Sequence, residues 1–125
     1  MSEQPSPNIL VVADLFFASK LKGEVQKAGY DYKAAIGIKT ALQRARDYGP
    51  AAIVIELSKE NLDFETLITN LLEDEGTKAI PLIGLRGHMD TSKLQRAQEL
   101  GCKVVCPNGQ ISGDFNGVLG EALNN

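Results

Sequence analysis

One histidine, His88, and two cysteines, Cys102 and Cys106, are the only imidazole and thiol groups in 125 residues. A structural zinc site needs four ligands at suitable spacing, so metal binding through these thiols is disfavoured. The cysteines stand four apart in GCKVVC, and on a strand their α carbons are about 13 Å apart. A disulfide spans only roughly 4.4 to 6.8 Å, so both thiols are expected to be reduced and structural. A basic excess is lacking too. The net charge is -3, with lysines and arginines scattered among acids, which gives no attractive field for nucleic acid or anionic lipid. The first residues, MSEQPSP, have neither a basic n-region nor an apolar h-region, and no later run approaches the ~20 apolar residues that span a bilayer. The expected location is cytoplasmic, with no membrane partner. Repeats, linkers and low-complexity segments are also missing.

What is present is the composition of a soluble globular domain, 43% hydrophobic and 23% charged, in a length suited to one core. Residues 1–7, with two prolines, read as a disordered leader, and residues 8–125 as a single domain. Five short apolar runs follow: NILVV (8–12), DYKAAI (31–36), AAIVI (51–55), IPLIGL (80–85) and KVVC (103–106). Between them the apolar residues recur with the helical period. Phe17, Leu21, Val25 and Ala28 form the first stripe; Ala41, Leu42, Ala45 and Tyr48 form the second. The third holds Phe64, Leu67, Ile68, Leu71 and Leu72, the fourth Leu94, Ala97 and Leu100, and the fifth Phe115, Val118, Leu119, Ala122 and Leu123. Gly29, Gly49, Gly76 and Gly101 stand as helix stops, and Asp63, Thr91 and Ser112 as N-caps.

Strict alternation of strand and helix predicts a parallel sheet with right-handed crossovers. Helices on both faces account for strands apolar throughout. The expected class is α/β, a doubly wound five-stranded flavodoxin-like sheet, (βα)5, in the order 2-1-3-4-5. Function in such a sheet gathers outside the carboxyl ends of the strands, where the strand order switches. Ala13, Asp14, Glu56, Arg86, Gly87 and Asn108 surround that crevice. The loop after the first strand, ADLFFASK, contains no glycine. It therefore lacks the backbone cradle for a flavin phosphate, the G-x-G-x-x-G of a dinucleotide fold and the Walker lysine loop. GLRG (84–87) reads as a turn out of a strand. Asp14 suits the N-cap of the first helix as well as the crevice, and Glu56 suits a polar strand end. His88 lies beside the crevice, and Phe16 is a candidate for an exposed contact.

The loops resemble those of the receiver domains of bacterial two-component response regulators, over nearly the whole chain from Asn8 to Leu123. NILVVADLF is similar to the first strand with its acidic end, and PAAIVIELS to the third strand ending in the phosphoacceptor. IPLIGLRGH is similar to the fourth strand with its Thr or Ser, and LGCKVVCPN to the fifth with its Lys-Pro. Carried over position by position, the resemblance puts Ala13 and Asp14 at the magnesium-holding acidic pair and Glu56 at the phosphoacceptor. Arg86 takes the place of the hydroxyl residue and Asn108 that of the lysine. The aromatic switch falls on Val105.

Each departure from the family pattern has a physical consequence. Magnesium prefers several oxygen ligands in octahedral geometry, and Ala13 removes one carboxylate. Without the lysine, nothing screens the roughly two negative charges of a phosphoryl group. A glutamate displaces the attacking oxygen by about a bond length, a scale to which in-line transfer is sensitive. Arginine at position 86 suits a forked pair with Glu56 or Asp14 where metal and phosphate would sit. The resemblance thus implies a degenerate receiver, or pseudo-receiver: no enzyme, no cofactor and no bound metal, contacting a signalling protein such as a kinase, output protein or scaffold. In the family, partners and homodimers use the face of the fourth helix, fifth strand and fifth helix, here offering Lys93, Arg96 and Lys103. Two alternatives stay open: residual metal-dependent phosphotransfer onto Glu56 or Asp14, and a small-anion sensor built on Arg86.

Overall fold

Five short strands, the central β1 and β3 buried along their whole length, form a parallel sheet with helices packed on both faces. In the computed structural model the described residues are 7–57, 62–86, 91–107, 111 and 113–124, with the side chains of Arg86 and Thr91 outside the description. The elements run β1 (Asn8–Val12), α1 (Leu15–Lys27), β2 (Asp31–Ala35), α2 (Ile38–Tyr48), β3 (Ala52–Glu56), α3 (Phe64–Glu73), β4 (Leu82–Arg86), α4 (Thr91–Leu100), β5 (Val104–Pro107) and α5 (Phe115–Leu123). The sheet order is β2-β1-β3-β4-β5, as the alternation predicts. The leader assigned to residues 1–7 falls, apart from Pro7, outside the described residues.

Alternate residues of each strand feed two separate cores, the period-two consequence of a doubly covered sheet. Ile9, Val11, Val54, Ile83 and Leu85 pack with Phe17, Leu21 and Val25 of α1 and with Phe115, Val118 and Leu119 of α5. Leu10, Val12, Ile53, Ile55 and Leu82 pack on the other face with Ala41 and Ala45 of α2, Leu67, Ile68 and Leu71 of α3, and Ala97 of α4. Both layers are continuous across the middle strands, which explains why Ile9–Val12 of β1 and Ala52–Ile55 of β3 are apolar throughout.

Several boundaries differ from the sequence expectations. Strand β2 stops at Ala35, leaving Ile36 outside the sheet and 52% exposed. Strands β4 and β5 end one residue later than their apolar runs, at Arg86 and Pro107. Tyr48, expected in the α2 stripe, is 44% exposed; Lys33 lies 4.7 Å over its ring, and its carbonyl accepts from Asn8 Nδ2. Leu123 is likewise exposed at the end of α5.

Gly29, Gly49 and Gly101 have positive φ and close helices as expected. Gly76 instead lies beyond the Asp74 C-cap of α3, and its N–H donates to Asp74 Oδ1. Asp63 caps α3 through Thr66 N–H. Thr91 is the first residue of α4 instead of its cap, and Ser112 lies outside the described residues. The cap of α5 is Asp114, whose Oδ1 accepts from Gly117 N–H at 3.2 Å. Sequence spacing misses this because Ser112 and Asp114 are both good caps within one turn of the same stripe.

Candidate functional site

Parallel register brings the carboxyl ends of the central strands level. Val12 pairs with Ile55, Ile55 with Gly84, Glu56 with Leu85, and Arg86 with Pro107. The carboxyl ends of β1, β3, β4 and β5 therefore lie side by side along one crevice, at the switch between β1 and β3. Asp14 and Glu56 meet there. The Asp14 N–H donates to Glu56 Oε1 at 3.0 Å, and the Asp14 side chain turns the other way, its Oδ1 accepting from Phe17 N–H at 2.9 Å to cap α1.

The two carboxylates hold unlike environments. Asp14 is exposed, while Glu56 is 7% exposed, one of few buried polar residues among those described. A buried carboxylate is costly unless hydrogen bonds satisfy it, and a backbone N–H that donates to a charged acceptor makes one of the stronger pairs. The bond ties the end of β3 to the loop leaving β1. Glu56 is thus more than a polar strand end, and the N-cap reading of Asp14 is correct as well. The helix cap and the donor to Glu56 come from one residue through two different groups.

Ala13, at the other position of the acidic pair, is 2% exposed and belongs to the core with Phe17 and Ala18. A carboxylate there would have to leave the α1 layer to reach a metal. Among the described residues no three His, Cys, Asp or Glu side chains gather as a possible metal site. Asp14 is engaged in its cap and Glu56 accepts from the backbone, so this donor set does not fit the octahedral magnesium centre of the receiver pattern.

The backbone of Arg86 ends β4 at the crevice; its side chain, and with it the expected pair to Glu56 or Asp14, lies outside the described residues. Gly87, His88 and Asn108 lie outside them too. Val105 is half-buried in β5 and faces Gly84, where an added Cβ would stand 3.2 Å from both Val105 Cγ1 and Leu57 Cδ1. A valine wedged in this layer has no rotating ring to offer.

Of the residues expected to form a partner face, Lys103 is exposed before β5 and Lys93 is half-buried on α4. Arg96 is turned toward α3. Its Nε donates to Glu65 Oε1 at 3.0 Å and it also pairs with Glu99. The bond to Glu65 pushes the pKa of the guanidinium up. Burial raises Cys102 to about 12, and burial with the Glu121 charge raises Cys106 to about 11. Both cysteines are free and buried, matching the expectation of inert structural thiols.

Two features escape a reading of side-chain types alone. The donor that holds Glu56 is a main-chain N–H, a group every residue but proline carries, and only strand register singles out Asp14. Leu15 and Ile36, exposed beside Phe16 at this end of the sheet, carry no motif.

No family model and no curated protein sequence matches the chain. Solved structures do. A chain from Chloroflexus aurantiacus described as a response regulator is 22% identical, covers 94% of this chain and 99% of its own, and has a TM-score of 0.79. The receiver domain of NtrX from Brucella abortus is 18% identical, with 93% and 98% covered and a TM-score of 0.81. The receiver domain of a signal transduction histidine kinase from Syntrophus aciditrophicus is 20% identical, with 94% and 90% covered and a TM-score of 0.80. No helix among the described residues is long and apolar enough to cross a membrane. With its strand order, its register and these neighbours along nearly its full length, the chain has the receiver fold.

Proposed function

We propose that this chain is a pseudo-receiver: a cytoplasmic signalling module, without enzymatic activity, that works through protein contacts and is not switched by aspartyl phosphorylation. The observation that carries the proposal is the state of Glu56, buried to 7% exposure with Oε1 held at 3.0 Å by Asp14 N–H. A phosphoacceptor must present an oxygen to a reactant in line, beside a metal and a counter-charge. Glu56 instead spends an oxygen joining β1 to β3. The buried Ala13 supports the same reading, since it offers no oxygen where the family pattern has a metal ligand.

The proposal extends to Arg86. An arginine at this place in the family pattern has the chemistry to substitute a permanent ion pair for a transient phosphoryl centre. A domain held this way keeps one conformation and serves as a constant surface for a kinase, output protein or scaffold. The face of α4, β5 and α5, with Lys93 and Lys103, is the contact that the resemblance implies. Arg96 contributes less than expected because it is bound to Glu65.

Incubation with acetyl phosphate and magnesium, read by intact mass, tests the absence of phosphotransfer. The expected result is no gain of a phosphoryl group. A gain that Glu56→Gln or Asp14→Asn abolishes would establish residual transfer and end the pseudo-receiver reading.

A further inference from the structure

Large apolar side chains left in water are informative when they adjoin one another. Leu15 and Phe16, in the first turn of α1, are 70% and 74% exposed, and Ile36, just past β2, is 52% exposed. Leu15 and Ile36 line one open groove of about 340 Å³, completed by Ala34, Ala35, Thr40 and Arg44. Phe16 stands next to Leu15 at the same end of the sheet. None of the three belongs to either core, so packing within the domain does not account for them.

The segment that builds this groove differs in charge from the rest of the chain, with Arg46 in it paired to Asp74 outside it. Residues 14–48 hold seven basic and four acidic residues, while residues 49–125 hold six and eleven, within a total of -3. Lys20 Nζ lies 4.6 Å from the centre of the Phe16 ring. Lys39 is exposed on the first turn of α2. Arg44 lines the groove and donates to the Ala34 carbonyl. The nearby acid, Asp14, caps α1.

We infer that the Leu15–Phe16–Ile36 surface docks an acidic amphipathic helix of a partner protein. The apolar stripe of that helix lies in the groove between the starts of α1 and α2, and its carboxylates meet Lys20, Lys39 and Arg44. Apolar anchors in a groove with a charged rim are the requirements of helix-in-groove recognition. A second copy is the wrong occupant, because it would set one basic surface against another. The inference rests on the protein-contact reading above and gives it a surface and a partner chemistry.

The test is an amide NMR titration of the full chain with a synthetic helical peptide bearing leucines at i, i+3, i+4 and i+7 and glutamates elsewhere. Two control peptides carry lysine for glutamate, or the same residues with the leucine stripe scrambled. The expected shifts fall on residues 14–20 and 34–44, weaken with salt, and are absent with both controls. Affinity is expected to drop about tenfold or more in Phe16→Ala/Ile36→Ser and in Lys20→Glu/Lys39→Glu. All four positions are exposed, and circular dichroism checks that the variants fold.

Equal binding of either control, or shifts confined to other faces, overturns the inference. So does self-association through this patch, or binding to anionic vesicles that Phe16→Ala/Ile36→Ser abolishes and the acidic peptide does not compete. Adding beryllofluoride and magnesium to the same sample separates the two proposals. A response at Glu56 with peptide binding intact removes the pseudo-receiver reading alone, and silence in both experiments removes the docking surface alone.

Discussion

Strand β1 has unlike neighbours at its carboxyl end. On the β3 side the chain has closed upon itself: Ala13 is sealed into the α1 core, and Glu56 is buried and held by Asp14 N–H. On the β2 side Leu15 and Ile36 lie open in one groove with Arg44, and the exposed Phe16 follows Leu15 on α1. The first side is where this fold gathers small-ligand chemistry, and there Glu56 accepts from Asp14 N–H while Asp14 Oδ1 caps α1. The second side has little to do with holding the domain and much that suits a partner. The difference teaches that a carboxylate at a strand end can take a structural part, because hydrogen bonds such as the one from Asp14 N–H offset its burial.

This contrast predicts a graded series of effects. The largest is expected at Glu56. Replacement by Ala removes a charge-assisted bond and leaves Asp14 N–H without its acceptor, which should cost about 2 kcal/mol in urea unfolding. Glu56→Gln keeps an oxygen at the same reach and should cost about half as much. Equal stability for wild type and Ala variant would break the claim that Glu56 is structural.

Gly84 comes next. An added Cβ would press on Leu57 Cδ1 and Val105 Cγ1 at 3.2 Å, and Gly84→Ala should cost about 1.5 kcal/mol by overpacking. Val105→Ala should relieve much of that cost, so a double-mutant cycle between them should show clear coupling. Additive effects would mean that position 105 does not belong to the layer behind the crevice.

Asp14→Ala should cost about 1 kcal/mol, the usual worth of an N-cap. Because the bond to Glu56 uses the main-chain N–H, which the substitution retains, Asp14→Ala and Glu56→Ala should be nearly additive. Strong coupling would show that the Asp14 side chain contributes to holding Glu56. The smallest effect on stability is expected at Phe16. With 74% of its surface exposed, Phe16→Ala should change thermal unfolding by less than about 0.5 kcal/mol. A large loss would place Phe16 in the fold and take it from the partner surface.

The architecture is legible in the sequence because its causes are periodic. The runs NILVV and AAIVI can be buried throughout only in a sheet covered on both faces, and the intervening stripes supply the covers. Gly29, Gly49 and Gly101 mark helix ends because positive φ favours glycine. Boundaries are less legible where two residues can perform one task, as Ser112 and Asp114 can both cap α5. Tyr48 fits the helical stripe by spacing and lies outside because α2 ends there, where its ring meets Lys33.

At the crevice, residue types place Ala13, Asp14, Glu56 and Arg86 together, since strand ends align in a parallel sheet. What they do not reveal is which group satisfies Glu56. That depends on the β1–β3 register and on a main-chain donor without side-chain identity. The exposed surface is harder still to read, because Leu15 and Ile36 resemble core residues until the helix and strand boundaries are known. Arg96 shows the converse: it looks available in sequence and is bound to Glu65 on a neighbouring helix.

The central claim is that the crevice no longer responds to a phosphoryl group. Its most direct test is an amide NMR titration with magnesium and beryllofluoride, a mimic of the bound phosphoryl. The account predicts no coordinated shift at Glu56, Arg86 and Asn108 and no change carried into β5. Shifts at those three residues that spread together to Val105 would show a working switch and contradict it.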